Sequence, residues 1–183
     1  MTFELKHPLT LFILKAAGLY FIWFVAYELY LHPEGTIDHF MIESLITQGS
    51  WLLDFLGFKG IQDHTLEGSM RTLGIDGTFG VWIGDPCDGI ELFALFIGFL
   101  LAFPTNYKNL WWFLPLGVIA IHLLNLLRVV GLSILQYYKP ELLEFNHTYT
   151  FTILVYGFVM FLWYIWASRF SGGKEILKNA AHA

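Results

Sequence analysis

Three side chains of types that take part in covalent catalysis stand out in this sequence: Cys87, Arg128 and His147. A cysteine thiolate can attack a carbonyl carbon, and a histidine can move the protons that this attack displaces. An arginine can stabilise the oxyanion that forms. The three residues are far apart along the chain, so only the fold can bring them to one place.

Each of the three also has an ordinary structural interpretation. Cys87 is the sole cysteine, so it can be a small buried apolar side chain, and it cannot form an intrachain disulfide or a cysteine-based zinc site. Arg128 can pair with an acid such as Glu91, although an ionisable residue inside a spanning helix is costly and usually functional. His147 alone can be the polar start of a helix.

Neighbouring polar residues modify this picture. We expect Asn125, one helical turn before Arg128, to orient the guanidinium group. His122 lies about 9 Å deeper along the same helix, and we interpret it as a core residue hydrogen-bonded to a helix neighbour. A helix that starts at Cys87 lowers the pKa of its thiol, whereas nearby carboxylates act in the opposite direction. These carboxylates are Asp85, Asp88 and Glu91.

The composition indicates a membrane protein. Of the 183 residues, 56% are hydrophobic and only 14% are charged, with a mean hydropathy of +0.59. A soluble domain carries about a quarter charged residues. The length suits one domain over residues 1–183. The net charge of −5 offers no basic surface for nucleic acid.

Four segments approach the roughly 20 apolar residues that a spanning helix needs: 9–30, 88–104, 110–135 and 149–168. The apolar part of the first segment is too long for a cleaved signal peptide. The residues that follow it also lack the small side chains that a signal peptidase needs, so we interpret this segment as an anchor. The sequence therefore predicts an all-α membrane protein with about four transmembrane helices.

The flanking cations predict the orientation, because Lys and Arg concentrate on the cytoplasmic side of short loops. They gather on one set of flanks, at Lys6, Lys108, Arg169, Lys174 and Lys178. We therefore expect both termini and the Thr105–Asn109 turn in the cytoplasm, and segments 32–86 and 136–148 outside. This multi-pass topology in the cell membrane puts the three candidate residues at the outer face.

The external segment 32–86 divides into two parts. Apolar residues recur near helical spacing after Thr36, a possible N-cap, and predict an amphipathic helix on the membrane or on the other helices. They are Ile37, Met41, Leu45, Leu52, Phe55 and Leu56. The stretches Leu66–Ile75 and Thr78–Ile83 then alternate about Asp76-Gly77, which predicts a small β-hairpin.

The order of these motifs resembles the exosortase/archaeosortase family. That family has a Cys-x-Gly at a helix start, an Arg in the following helix and a His (or Arg) before the next. Here Cys87-Asp88-Gly89-Ile90 follows the hairpin, Asn125-Leu126-Leu127-Arg128 lies in the next helix, and His147 precedes the last helix. The resemblance covers roughly Leu52 to Arg169, and longer relatives have more spanning segments.

The resemblance implies a membrane-embedded cysteine protease or transpeptidase with Cys87, Arg128 and His147 as catalytic residues. Asn125 and Gly89 would support them. Such enzymes recognise exported proteins by a C-terminal sorting signal, which is a short motif, a spanning helix and a basic tail. They pass the acyl group to an acceptor such as a membrane lipid headgroup, and the family chemistry requires no metal or cofactor.

Two other functions remain compatible with the sequence. A non-catalytic membrane subunit of an export or envelope-assembly system would tolerate Cys87→Ala. A membrane acyltransferase would use Cys87 or His147 on a lipid-linked donor, and trapping its covalent adduct would distinguish it from a peptidase.

Overall fold

A computed structural model describes residues 8–63, 71–103 and 107–170. Five longer helices and three short strands follow one another in chain order. They are α1 (Pro8–Ala26), α2 (Thr36–Phe55), β1 (Gly60–Asp63), β2 (Arg71–Ile75), β3 (Val81–Ile83), α3 (Ile90–Ala102), α4 (Leu110–Tyr138) and α5 (Phe151–Ile165). Short helical turns extend α1 to Glu34, precede α3 at Asp85–Cys87, and flank α5 from Pro140 to Phe170.

Within the described residues, three helical segments are long and apolar enough to cross a membrane: Leu9–Glu34, Leu110–Tyr138 and Pro140–Phe170. They confirm three of the four expected spans. The fourth, expected over 88–104, is a shorter apolar helix, α3, of 13 residues. At the helical rise it is about 20 Å long, less than the roughly 30 Å of a hydrocarbon core.

Local backbone chemistry explains why α3 is short. Gly89 has a φ of 90°, and the Asp88 carboxylate accepts a hydrogen bond from the Ile90 N–H at 2.7 Å, so the helix cannot begin earlier. At the other end, Phe103 is extended, as expected for a residue before proline. The expected end at Pro104 and the first two residues of the Thr105–Asn109 turn lie outside the described residues, and Tyr107–Asn109 form a short helical turn.

Two apolar cores divide the molecule. The membrane core joins α3, the first half of α4 and α5 around the buried side chains of Phe96, Ile121 and Trp166. The head core joins α2, the sheet and the second half of α4, and it contains Ile42, Leu45, Ile46, Leu53 and Leu73 among others. In contrast, α1 exposes most of its side chains and contacts α3 through edge-on packing of its Phe12 ring.

The amphipathic helix is confirmed as α2, but its expected face is partly wrong. The fully buried side chains are Ile42, Leu45, Ile46 and Leu53, whereas Ile37, Phe55 and Leu56 are exposed. The head core therefore meets a face rotated from the expected one. Thr36 does not cap α2. The helix instead follows Gly35, which has a φ of 63°, and the Thr36 hydroxyl donates to the Glu34 carbonyl at 3.5 Å.

The hairpin is confirmed and belongs to a three-stranded antiparallel sheet of order β1-β2-β3. Arg71 pairs with Ile83 and Leu73 with Val81, around a turn that contains Asp76 and Gly77. The last strand begins at Val81 rather than Thr78, because the Thr78 hydroxyl bonds to the Ile75 carbonyl at 2.8 Å within the turn. Residues 66–70 of the expected first strand lie outside the described ranges, and β1 was not expected.

Candidate functional site

The sheet delivers Cys87 to the junction between the two cores. After β3 the chain makes one helical turn, in which the Cys87 N–H donates to the Gly84 carbonyl at 2.8 Å. The Cys87 side chain is half-buried and packs against the head core. The thiol therefore sits on an ordered backbone just before α3 rather than on a free loop.

Asn125 and Gly89 hold this backbone in place. The Asn125 side-chain amide, buried in α4, donates to the Cys87 carbonyl at 2.8 Å. A Cβ atom at Gly89 would lie 3.2 Å from that same amide nitrogen, and its φ of 90° also disfavours other residues. The expectation that Asn125 orients Arg128 is therefore wrong, because its amide fixes the cysteine backbone instead.

The three candidate residues converge. Cys87 Sγ lies 3.5 Å from His147 Nε2, and Arg128 Nη2 lies 3.9 Å from the sulfur and 3.4 Å from the same imidazole nitrogen. Arg128 comes from the middle of α4, and His147 from the helical turn Asn146–Thr150 that precedes α5. Three separate elements thus meet at one point.

These contacts suit a neutral imidazole with its proton on Nδ1. In that tautomer, His147 Nε2 can accept a hydrogen bond from the Arg128 guanidinium, which is always a donor. A neutral imidazole with its Nε2 lone pair toward Cys87 can accept the proton of a thiol. The geometry therefore describes a thiol facing a base.

The resting sulfur is a thiol rather than a thiolate. Burial raises the pKa of the Cys87 thiol, and the nearby carboxylate of Asp88 acts in the same direction. The Arg128 guanidinium and a hydrogen bond between the sulfur and the Gly84 backbone both lower the pKa of the thiol. They oppose the shift without cancelling it. Deprotonation thus needs the neighbouring imidazole, as in a nucleophile activated by a base.

A buried pair of carboxyl groups lies behind the cysteine. Asp88 and Asp38 are each only 1% exposed, and each has one buried oxygen with no hydrogen-bond partner among the described residues. Burial, followed by the neighbouring Asp38, raises the pKa of Asp88 to about 8. A buried carboxyl group beside a second acid favours its protonated form, so the Asp88 carboxyl group is largely protonated at neutral pH.

Two further groups surround the carboxyl pair. The Tyr27 hydroxyl donates to Asp38 at 2.7 Å. The His32 ring lies 3.6 Å from Asp38 and 3.8 Å from Asp85. Sequence reasoning missed Asp38 and Tyr27, since an acid in the first turn of a helix and a tyrosine at the end of a span are both ordinary.

Two cavities flank His147. One, of about 480 Å³, lies between β3 and the turns before α5, with Trp82 and Glu144 in its walls. The other, of about 320 Å³, lies between the start of α3 and α5, with Arg128, Glu91 and Tyr156 in its walls. His147 therefore has open space on two sides, one beside the sheet and one beside the spanning helices.

The remaining sequence expectations have clear outcomes. Among the described residues Arg128 forms no ion pair with Glu91, because its guanidinium group contacts Cys87 and His147 instead. His122 does bond to a helix neighbour, with Nε2 3.0 Å from the Gln48 side-chain oxygen.

The chain was compared with known proteins. The sequence profile of the Transmembrane exosortase family matches residues 8–167, which is most of the chain. No significant match was found among curated proteins or among solved structures. The profile spans all three elements that supply Cys87, Arg128 and His147. The chain therefore belongs to the transmembrane exosortase family.

Proposed function

We propose that this protein is a membrane-embedded cysteine transpeptidase that cleaves C-terminal sorting signals of exported proteins and transfers them to an acceptor. The observation that carries the proposal is the mutual contact of Cys87, His147 and Arg128, in which Sγ lies 3.5 Å from an accepting imidazole nitrogen. Membership of the exosortase family supports this reaction class.

In the first half of the reaction, His147 Nε2 takes the thiol proton as Cys87 Sγ bonds to the scissile carbonyl carbon. Arg128 Nη2, 3.9 Å from the sulfur, is the donor near the oxyanion that develops. The carbon–nitrogen bond then breaks, and His147 gives its proton to the leaving amine. The products are a thioester on Cys87 and a released spanning helix.

In the second half, the acceptor nucleophile gives its proton to His147 and attacks the thioester carbon. The carbon–sulfur bond breaks, the proton returns to Sγ, and the thiol is regenerated. Attack by water would give simple hydrolysis. Asn125 and Gly89 act as positioning residues, because they hold the Cys87 backbone and do not touch the reacting atoms.

We place this site at the outer face of the membrane. Lys108 and Arg169 lie at the ends of the spanning helices away from the site, about 30 Å along the helix axis from Arg128 and His147 respectively. Cations at helix ends mark the cytoplasmic side. Lys6, Lys174 and Lys178, which also support this orientation, lie outside the described residues. A cell-membrane enzyme of this topology meets the scissile bond of an anchored substrate near the outer interface.

The test is a blot of a protein from the same genome that ends in a short motif, a spanning helix and a basic tail. The Cys87→Ala and Cys87→Ser proteins should accumulate its precursor at unchanged enzyme level, since the thiol is lost. His147→Ala should slow processing by about 10²–10⁴. Arg128→Lys should also be impaired, because it keeps the charge but loses the planar donors.

His39→Ala is the matched control, because this half-exposed histidine lies on α2, where its side chain contacts Glu43 at 3.9 Å, away from the site. It should process the substrate normally. Normal processing by the Cys87→Ala protein would exclude the covalent mechanism and favour a non-catalytic subunit of an export or envelope-assembly system. A lipid-derived acyl group on Cys87, without peptide cleavage, would favour a membrane acyltransferase.

A further inference from the structure

One edge of the sheet is open beside the candidate site. In the described part of the chain, β3 is hydrogen-bonded to β2 only, so its other edge has backbone groups that do not pair with a strand. An extended peptide can add to such an edge through main-chain hydrogen bonds. The strand runs toward the cysteine, because only Gly84, Asp85 and Pro86 separate Ile83 from Cys87.

The cavity of about 480 Å³ lies along this strand. Gly80, Val81 and Trp82 form one wall, and Glu144 and His147 form the other. It is large enough for several residues of an extended chain, which advance about 3.3 Å each. Because His147 also contacts Cys87 Sγ, a peptide in this cavity would end at the sulfur.

The cavity offers groups suited to a peptide. Phe79 and Trp82 are 96% and 64% exposed, so both aromatic rings can pack against the side chains of a bound peptide. Gln136 also lines the cavity, and its side-chain oxygen is buried without a hydrogen-bond partner in the part of the chain that the structure describes. An acceptor left in this state is satisfied by an incoming N–H, such as that of a peptide backbone.

The position of the second cavity indicates the direction in which a bound peptide would run. It lies on the other side of His147, between α3 and α5, and Thr152 and Tyr156 of α5 line it. In an anchored substrate the spanning helix follows the scissile bond, so the C-terminal side belongs next to the spanning helices. The N-terminal side then belongs in the cavity along β3, and the peptide runs in the same direction as that strand.

We propose that the substrate segment immediately before the scissile bond binds as an extended strand along β3, with Trp82 and Gln136 as specificity and binding residues. The inference rests on the proposed function, since it assigns one side of the substrate of that reaction. The ligand is then a peptide that binds through backbone hydrogen bonds, with aromatic contacts to its alternate side chains.

The test uses the purified full chain and two reagents that share one reactive group. Acetyl-tetraalanyl chloromethyl ketone carries peptide only on the N-terminal side of the reactive carbon, and chloroacetone carries none. In both, the Cys87 thiolate bonds to the methylene carbon and displaces chloride. Cys87 is the sole cysteine, so the mass of the intact protein reports this reaction.

We expect the peptide reagent to alkylate the wild-type protein faster than chloroacetone, and Trp82→Ala to lower the ratio of the two rates by roughly tenfold. Trp51→Ala is the matched control, because Trp51 is 68% exposed but lies on α2 and lines neither cavity. It should leave the ratio unchanged. The chloroacetone rate should be the same in all three proteins.

Backbone pairing has its own readout. In four peptide reagents, each with one N-methylated amide, the rate on the wild-type protein should fall at alternate positions, because a strand directs alternate N–H groups toward its neighbour. Gln136→Leu should lower the rate of the unmethylated peptide reagent but not that of chloroacetone.

The outcomes separate the two proposals. If neither reagent alkylates Cys87, the covalent function itself is contradicted. If both react but the ratio is insensitive to Trp82→Ala and to N-methylation, the nucleophile stands and the β3 assignment is overturned. A loss of the ratio in Tyr156→Ala instead of Trp82→Ala would also overturn it, because the peptide would then occupy the other cavity.

Discussion

The protonation of individual side chains decides what this site can do. Burial favours the neutral thiol of Cys87, His147 Nε2 faces its sulfur, and Arg128 supplies a fixed positive charge beside them. In the proposed reaction, this arrangement keeps the nucleophile protonated until a substrate arrives. A neutral pair in a half-buried site also avoids the cost of holding an isolated ion pair away from water.

The carboxyl pair behind the cysteine gives a prediction on pH and stability. Asp88 has a pKa near 8 in the folded protein, against about 3.9 in an unfolded chain. The folded state therefore binds more protons between these values, and its stability falls as the pH rises through this window. The titratable groups that act on Asp88 are Asp38 and Asp85, and these in turn contact His32 and Tyr27.

Asp88→Asn should flatten this dependence. Its amide mimics the protonated carboxyl, keeps an oxygen for the Ile90 N–H, and can donate to Asp38. The midpoint of thermal unfolding in detergent, followed by tryptophan fluorescence from pH 5 to 8, should decline in the wild-type protein and change less in Asp88→Asn.

Asp76→Asn is the control for this measurement. Asp76 is exposed, and its hydrogen bond and ion pair with Lys59 hold its pKa below the usual range, so it does not titrate between pH 5 and 8. The slope of the unfolding midpoint against pH should be the same in Asp76→Asn as in the wild-type protein. Parallel slopes for the wild-type and Asp88→Asn proteins would contradict the raised pKa of Asp88.

At this scale, the sequence predicts residue identity better than residue partners. Cys87, Arg128 and His147 were identifiable because each is unusual where it occurs: a sole cysteine at a helix start, a cation within a spanning helix, and a histidine before the next. The partner of Asn125 was not identifiable from the sequence, because only the packing of α3 against α4 brings the Cys87 carbonyl within reach of the Asn125 side chain. Trp82 and Gln136 carried no signal, since aromatic and amide residues are common in such positions.

At the scale of elements, the packing of α3 against α4 determines whether the site can form. Gly117 of α4 lies under the ring of Phe96 in α3, and a Cβ atom there would collide with that ring. Phe96 is fully buried in the membrane core. The close approach brings the start of α3, and with it Cys87, against Asn125 and Arg128.

Gly117→Ala should therefore destabilise the protein. Overpacking of a dense core typically costs about 1–3 kcal/mol, which exceeds the roughly 1 kcal/mol that alanine gains over glycine in a helix. Gly98→Ala in α3 is the matched control, because no atom lies within 4 Å of a Cβ built there. Its unfolding midpoint in detergent should be unchanged or raised. A raised midpoint for Gly117→Ala would show that the two helices are not in close contact.

The elements also show where sequence patterns lose their predictive value. Spans with many apolar residues and the Asp76-Gly77 turn were predictable, because both signals are local. The buried face of α2 was not fully predictable, because apolar residues such as Phe40 and Trp51 lie on its exposed side as well. β1 has a single apolar residue in Gly60–Asp63, so it is recognisable only through its pairing with β2.

For the whole molecule, the division into a membrane core and a head core locates the chemistry. Cys87 connects β3 of the head to α3 of the membrane part, and Arg128 lies on α4, which belongs to both cores. A site at this junction can meet a substrate that is exported on one side of the scissile bond and anchored on the other. The proposed function therefore requires the head to be outside the cell.

This orientation can be tested with the natural sole cysteine. In intact cells or right-side-out spheroplasts, a membrane-impermeant maleimide of small size should alkylate Cys87, because its side chain is only half-buried and two cavities flank the neighbouring His147. As a cytoplasmic control, a Cys87→Ala protein that also carries Lys108→Cys should react only after the membrane is permeabilised. Both proteins should react after permeabilisation, which excludes simple burial as the cause of protection.

The reverse pattern in intact cells, with the Lys108→Cys protein labelled and Cys87 protected, would place the head in the cytoplasm and contradict cleavage of exported substrates.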